Sequence, residues 1–213
     1  MKNNVTELVF ILDRSGSMHG MERDTVGGFN SMIANQKKLQ GKAYVSTLLF
    51  DGECKVLHDR MDLQKIAPMK LSDFTPRGCT ALMDALGGAI HHMGNVHKYA
   101  RKEDVPERTM FVVITDGMEN ASQRYSADKV RQMIRRQKEK YGWEFLFLGA
   151  NIDAVETARR YGIEEDRAVT YKADPAGTRL NYEVLDEAVG SIRKGNISKN
   201  WKHRIEEDMN GRK

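Results

Sequence analysis

The chain has 213 residues, 40% of them hydrophobic and 30% charged, with a formal net charge of +4. This suits one soluble domain with a substantial core and is short for two, and no apolar run approaches the roughly 18 residues that a bilayer span needs. The excess charge sits at one end: residues 193–213 carry seven Lys and Arg against three acids, so the body is balanced and no nucleic acid is expected as its partner. No signal-peptide pattern precedes the first strand, and Cys54 and Cys79 have no metal-type spacing. A cytoplasmic protein with two free thiols is the expectation.

Val9 to Asp13 is an apolar run that ends on a carboxylate and passes into a small, hydroxyl-rich turn, Arg14-Ser15-Gly16-Ser17. It reads as a buried strand feeding a βα loop. A helix is predicted over Thr25–Leu39, with Asp24 as its N-cap and Val26, Phe29, Met32, Ile33 and Leu39 on its buried face. Gly27-Gly28 inside it costs roughly 1 kcal/mol per glycine relative to Ala, which close packing on the sheet would offset. Ala43–Phe50 is a strand, and the short Asp51-Gly52-Glu53 connection makes Cys54–His58 its hairpin partner at an antiparallel edge. Residues 62–79 look irregular, broken by Pro68, Pro76 and Gly78.

A helix over Ala81–Tyr99 buries Leu82, Leu86, Ala89, Ile90, Met93 and Val96, and a charged loop, 103–107, follows. Thr109–Thr115 is another near-continuous apolar strand, ending on Asp116-Gly117. Then come a basic helix, Ser126–Lys140, read as a solvated face, a strand at Trp143–Leu148 and a helix at Asp153–Tyr161 capped by Asp153. A short strand at Ala168–Tyr171 and a helix at Leu180–Ile192 close the body, residues 1–193. The remainder, 194–213, is a basic tail with Ile197, Trp201, Ile205 and Met209 at every fourth position, an amphipathic stripe expected to dock back on the body. Strands that alternate with helices and are apolar throughout predict a doubly wound, Rossmann-like α/β fold. Its sheet is mostly parallel, with helices on both faces and one antiparallel edge strand.

The chemistry gathers at strand ends. Asp13, Ser15 and Ser17 stand at alternate positions after the first strand; Thr80 opens the second helix in a glycine-relaxed turn; Asp116 ends the strand at 109–115. Local turn and capping preferences explain the Asp-x-Ser-x-Ser composition on its own. Three loops aimed at the same sheet edge are better explained by a common ligand. Hard oxygen donors suit Mg2+ or Mn2+. Glu119 and Asn120 would rim such a site. Asp51 reads as a turn residue that could also back the site, and Asp84 as a carboxylate at a helix N-terminus. His91, His92 and His97 lack the companions that zinc requires.

Asp13-x-Ser15-x-Ser17, Thr80 in GCTALMDAL and Asp116 in ITDGMEN together resemble the von Willebrand factor A (VWA) family over roughly residues 5–193. The chain looks most like small stand-alone bacterial VWA proteins, some of which belong to tellurium-resistance gene clusters. The resemblance implies a metal-ion-dependent adhesion site: Ser15, Ser17 and Thr80 on a divalent cation, directly or through water, with Asp13 and Asp116 contributing charge. A partner protein's Asp or Glu would complete the coordination. It implies a binding module and not an enzyme. A metal-dependent hydrolase or phosphatase is the alternative, but a haloacid-dehalogenase-type enzyme would want an acid where Ser15 stands. A metal-independent scaffold is a third reading.

Overall fold

Apolar runs separated by polar turns set the layers of the protein. The computed structural model describes residues 4–212. In chain order the elements are β1 (Val5–Asp13), α1 (Glu22–Gln36), β2 (Lys42–Phe50), β3 (Cys54–Asp62), α2 (Leu82–Tyr99), β4 (Arg108–Thr115) and α3 (Ala127–Tyr141). They continue with β5 (Glu144–Ala150), α4 (Ala154–Arg160), β6 (Ala168–Tyr171), α5 (Pro175–Lys194) and α6 (His203–Gly211). The strands form one sheet in the order β3-β2-β1-β4-β5-β6. Every neighbouring pair is parallel except β2 and β3, so the antiparallel edge strand is where the hairpin reading put it.

The central strand shows why the sheet is doubly covered. Leu8, Phe10 and Leu12 of β1 face Phe29 and Met32 of α1 and Val184, Leu185 and Val189 of α5. Val9 and Ile11 face the opposite layer, with Leu86 and Ile90 of α2 and Val130 and Ile134 of α3. Each fully buried side chain of this kind contributes about 1.5–3 kcal/mol. A one-residue slip of β1 would exchange the two sets and lose both fits.

Several boundaries differ from the sequence reading. Helix α1 starts at Glu22, with Met21 as its N-cap, so Asp24 lies within the first turn and is not the cap. Gly28 is explained by a helix, not by the sheet: a Cβ there would lie 2.4 Å from the Tyr182 ring of α5, while Gly27 has no neighbour within 4 Å. Strand β3 runs on to Asp62 through register shifts opposite Thr47. Helix α5 begins at Pro175, five residues earlier than the apolar pattern suggests, because Asp174 caps it by accepting from Gly177 N at 2.7 Å.

Residues beyond α5 fold back on the sheet. Ile197 and Ile205 are buried in the α1/α5 layer and Trp201 packs on it, its Nε1 donating to Asp166 O at 2.8 Å. Lys202 Nζ donates to Glu165 O and Ala168 O at 2.8 and 2.9 Å, which closes the outer edge of β6. Four of the basic side chains from Arg193 onward, those of Arg193, Lys202, Arg204 and Arg212, are used internally. Arg193 reaches the carbonyls that end α1 and follow it, including Gln36 O at 2.6 Å and Gly41 O at 2.9 Å, and Arg204 pairs with Glu183 and Glu187.

Candidate functional site

In a doubly wound sheet the crevice opens between the two strands whose connections leave to opposite faces. Here those strands are β1, followed by α1 on one face, and β4, followed by α3 on the other. Asp13 is the last residue of β1 and Thr115 the last of β4. The first and third loops therefore start side by side.

Asp13 is 1% exposed. Its Oδ1 accepts from Ser15 N at 2.7 Å and its Oδ2 from Thr115 Oγ1 at 2.5 Å, so the carboxylate shapes the turn that carries the serines. Ser17 Oγ donates to Asp116 Oδ1 at 2.6 Å and lies 3.0 Å from Ser15 Oγ. The loop before α2 is fixed by Asn120, whose Oδ1 accepts from Thr80 N at 2.9 Å and whose own N donates to Thr80 O at 3.0 Å. Gly117 marks the point of convergence. A Cβ placed there would lie 3.2 Å from Thr80 Oγ1, 3.3 Å from Ser17 Oγ and 3.9 Å from Ser15 Oγ. The three hydroxyls singled out in the sequence meet at this point, Asp116 joins them through Ser17, and Asp13 stands one step behind, on Ser15 N and Thr115.

The electrostatics follow from burial. Asp13 is pushed above its ordinary value by burial and further by the charge of Asp116, against the hydrogen bonds from Thr115 and Ser15 that pull it down. Burial raises Asp116 too, opposed by the Ser17 hydroxyl. Tyr171, fully buried, is raised by desolvation and then by these two carboxylates. Two desolvated acids beside three hydroxyls form a site short of positive charge. Among the described residues no three His, Cys, Asp or Glu side chains group as metal ligands. The donor set here is different, two carboxylates and three hydroxyls, and its oxygen chemistry fits a hard divalent cation.

No family model matches the chain. Inter-alpha-trypsin inhibitor heavy chain H3 of Bos taurus is 25% identical over 136 residues, covering 60% of this chain and 14% of that protein. The chain thus spans about a seventh of that relative's length. The von Willebrand factor type A structure from Catenulispora acidiphila superposes with a TM-score of 0.60 at 15% identity, over 88% of this chain and 42% of that one. The vWF domain of the type V pili tip protein Mfa5 from Porphyromonas gingivalis gives 0.63 at 11% identity, over 91% of this chain and 98% of that one. Proximal thread matrix protein 1 of the mussel byssus, with a zinc-occupied MIDAS motif, gives 0.57 at 14% identity, over 87% and 46%. The fold is that of a von Willebrand factor A domain.

Within this VWA fold the loops are held by residues that the motif does not include. Asp51 is 3% exposed and ties the first two loops together. Its Oδ2 lies 3.1 Å from Arg14 Nε and 3.0 Å from Arg77 Nε, and its carbonyl accepts from Ala81 N at 2.8 Å. Arg77 N donates to Arg14 O at 2.9 Å and Gly16 N to Gly78 O at 3.3 Å, so the serine loop and the Thr80 loop are laced along their length. Asp51 also keeps the turn role read from the sequence, accepting from Glu53 N at 2.7 Å. Arg14 and Arg77 escaped the sequence reading. A signal was present: Arg14 stands between two proposed ligands and Arg77 opens the turn that carries a third, and a buried acid ending the neighbouring strand needs cations.

The expected rim is built inward. Glu119 Oε1 accepts from Ala121 N and Ser122 N, and Oε2 from Ser122 Oγ and Met83 N, all within 2.7–2.9 Å, so this carboxylate braces the third loop against the start of α2. Asn120 is exposed but its amide holds Thr80, and between the third-loop acids Met118 stands 71% exposed. Asp84 does more than meet a helix dipole. Its carboxylate accepts from the backbone N–H groups of Gln123, Arg124 and Tyr125 at 2.8–2.9 Å. Burial works against its charge, but those donors outweigh it and hold the carboxyl below its usual value. Asp153 caps α4 as read, accepting from Glu156 N at 2.9 Å. The three histidines part company: His91 meets Tyr125, His92 meets Asp59, and His97 lies against buried Glu7.

Proposed function

We propose that this chain is a divalent-cation-dependent protein-binding module. Asp13, Ser15, Ser17, Thr80 and Asp116 hold Mg2+ or Mn2+, and the partner presents an Asp or Glu carboxylate to the ion. The observation that carries the reading is the convergence on Gly117: hydroxyls from two loops and a carboxylate from a third surround a space that one added carbon would crowd. When bound, the cation supplies an incompletely neutralised positive centre that draws in an external anion. The chain's own residues do the rest. Asp13 shapes the serine turn and adds charge without exposure to solvent, Asn120 fixes the Thr80 backbone, and Asp116 orients the Ser17 hydroxyl. Met118 and Asn120 form the exposed rim that a partner meets.

A non-enzymatic role is supported by the company these hydroxyls keep. Among the described residues Ser15, Ser17 and Thr80 make no hydrogen bond to a histidine, so no Ser–His or Thr–His nucleophile pair is formed, and the acid beside them, Asp116, is the group this reading gives to the metal. The zinc-occupied MIDAS motif of the mussel protein supports a divalent metal in this fold, and the choice of Mg2+ or Mn2+ rests on the oxygen-only donors. The cytoplasmic setting rests on the absent signal-peptide pattern and the two unpaired cysteines, and the kinship with bacterial tellurium-resistance proteins on the sequence resemblance. The test is affinity capture with the full chain as bait, with and without chelator, beside Thr80→Ala. A partner released by chelator and missed by the variant is expected; a partner held equally in all three cases would overturn the reading.

A further inference from the structure

On the β2–β3 side of the serine loop lies a cavity of about 480 Å³ lined by Arg14, Glu53, Cys54, Lys55, Thr75 and Arg77. Arg14 is 7% exposed, yet its guanidinium makes no hydrogen bond among the described residues. Its one partner is the ion pair through Nε with Asp51, at 3.1 Å. A guanidinium carries five N–H donors in a rigid fork; of Arg14's nitrogens Nε is the one buried without a hydrogen bond, and Nη1 and Nη2 have no acceptor among the described residues. Arg77 spends its Nε on the same Asp51 oxygen, at 3.0 Å, and its Nη2 reaches the exposed Glu53 only at 3.5 Å. Lys55 Nζ stands 3.6 Å from Asp73. Counted as charges, the cations here are matched by Asp51, Glu53 and Asp73. Counted as donors, they are not: one buried carboxylate serves two forks.

Unfilled, fork-shaped donors lining a cavity are suited to a carboxylate or another oxyanion, which can accept two parallel hydrogen bonds. The position is informative as well. Arg14 sits between Asp13 and Ser15, and Arg77 is hydrogen-bonded to it and belongs to the Thr80 loop. An anion held here would be a neighbour of one held at the metal. We propose that this cavity is an oxyanion subsite that seats a second acidic side chain of the partner whose first carboxylate binds the cation. The module then reads paired acids and not a lone one. The idea rests on the metal-site reading for its first carboxylate, while the subsite itself needs no metal.

The test has two arms on the full chain. In chelator, inorganic sulfate is titrated while the arginine Nε–H resonances are followed, with chloride at equal ionic strength as the control. Saturable shifts of Arg14 and Arg77 with sulfate, lost in Arg77→Gln, are expected; shifts that chloride reproduces would overturn the subsite. In excess Mg2+, a capped Glu-Gly-Glu peptide is compared with its Glu-Gly-Gln counterpart. A preference of about tenfold for the diacid is expected from one charge-assisted contact, abolished in Arg77→Gln and reduced in Lys55→Gln. Equal affinities would overturn the paired-acid proposal. Sulfate binding with no Mg2+ response in either peptide would sink the metal reading and leave the subsite standing.

Discussion

Adding one carbon at Gly117 tests the site with little risk to the fold. Gly117 does not occupy the left-handed region, so alanine is allowed there and would by itself stabilise by roughly 0.4–1 kcal/mol through the unfolded state. Against this, the new methyl would stand 3.2 Å from Thr80 Oγ1 and 3.3 Å from Ser17 Oγ, contacts that require those hydroxyls to yield by a few tenths of an ångström. The two effects nearly cancel, and the melting temperature should move by no more than about 2–4 °C for a domain of this size. The metal site has no such tolerance. Mg2+ demands near-ideal geometry at about 2.0–2.1 Å, and ligand distances hold within roughly 0.2 Å, so Gly117→Ala should weaken Mg2+ binding by at least about tenfold. Calorimetric titration of metal-stripped protein, paired with a thermal melt, reads both. Wild-type affinity in a folded Gly117→Ala protein would refute the convergence argument, because the hydroxyls would then not surround the ion.

Other perturbations follow from the same contacts. Asp13→Asn should raise the melting temperature of metal-free protein at pH 7. A buried carboxyl with a raised folded-state value contributes stability only at low pH and loses it as pH rises past its unfolded value, about 3.9, so the advantage should vanish in melts run near pH 3. Asp84→Asn should cost about 1–2 kcal/mol at pH 7, one acceptor for a row of backbone donors being lost. Because its carboxyl is depressed in the fold, that cost should fade in acid unfolding curves only below the ordinary carboxylate range. Trp201→Ala should lower stability by about 2 kcal/mol in a denaturant titration, through lost packing and the Nε1 bond to Asp166. An unchanged midpoint would mean that the docked segment adds nothing to the fold.

What could be read in the sequence, and what could not, divides along a physical line. Strands buried on both faces announce themselves as apolar runs; the one at Val9–Asp13 ends on a site carboxylate and the one at Thr109–Thr115 is followed directly by another, Asp116. The residues named from the motif fall in three short stretches, each legible on its own, and their hydroxyls come together at Gly117. Where contacts are distant, the sequence was mute. The second half of β3, HDRMD, alternates poorly because its register shifts opposite Thr47, and the reading stopped at His58. Gly28 looked like a sheet contact because Tyr182 is 154 positions away. The start of α5 was legible in Asp174-Pro175, a cap followed by a first-turn proline, but the apolar periodicity used to place it begins only at Leu180. The Asp51 clamp on Arg14 and Arg77 could be suspected from charge alone, though only the fold brings the three together.

The most direct measurement is calorimetric titration of metal-stripped full chain with Mg2+ and with Mn2+, wild type beside Asp13→Ala. The account predicts one binding site per chain in the wild type and none in the variant, with both proteins folded by circular dichroism. Binding of equal strength in the two proteins would place the ion elsewhere and contradict the assignment of Asp13, Ser15, Ser17, Thr80 and Asp116 as its ligands.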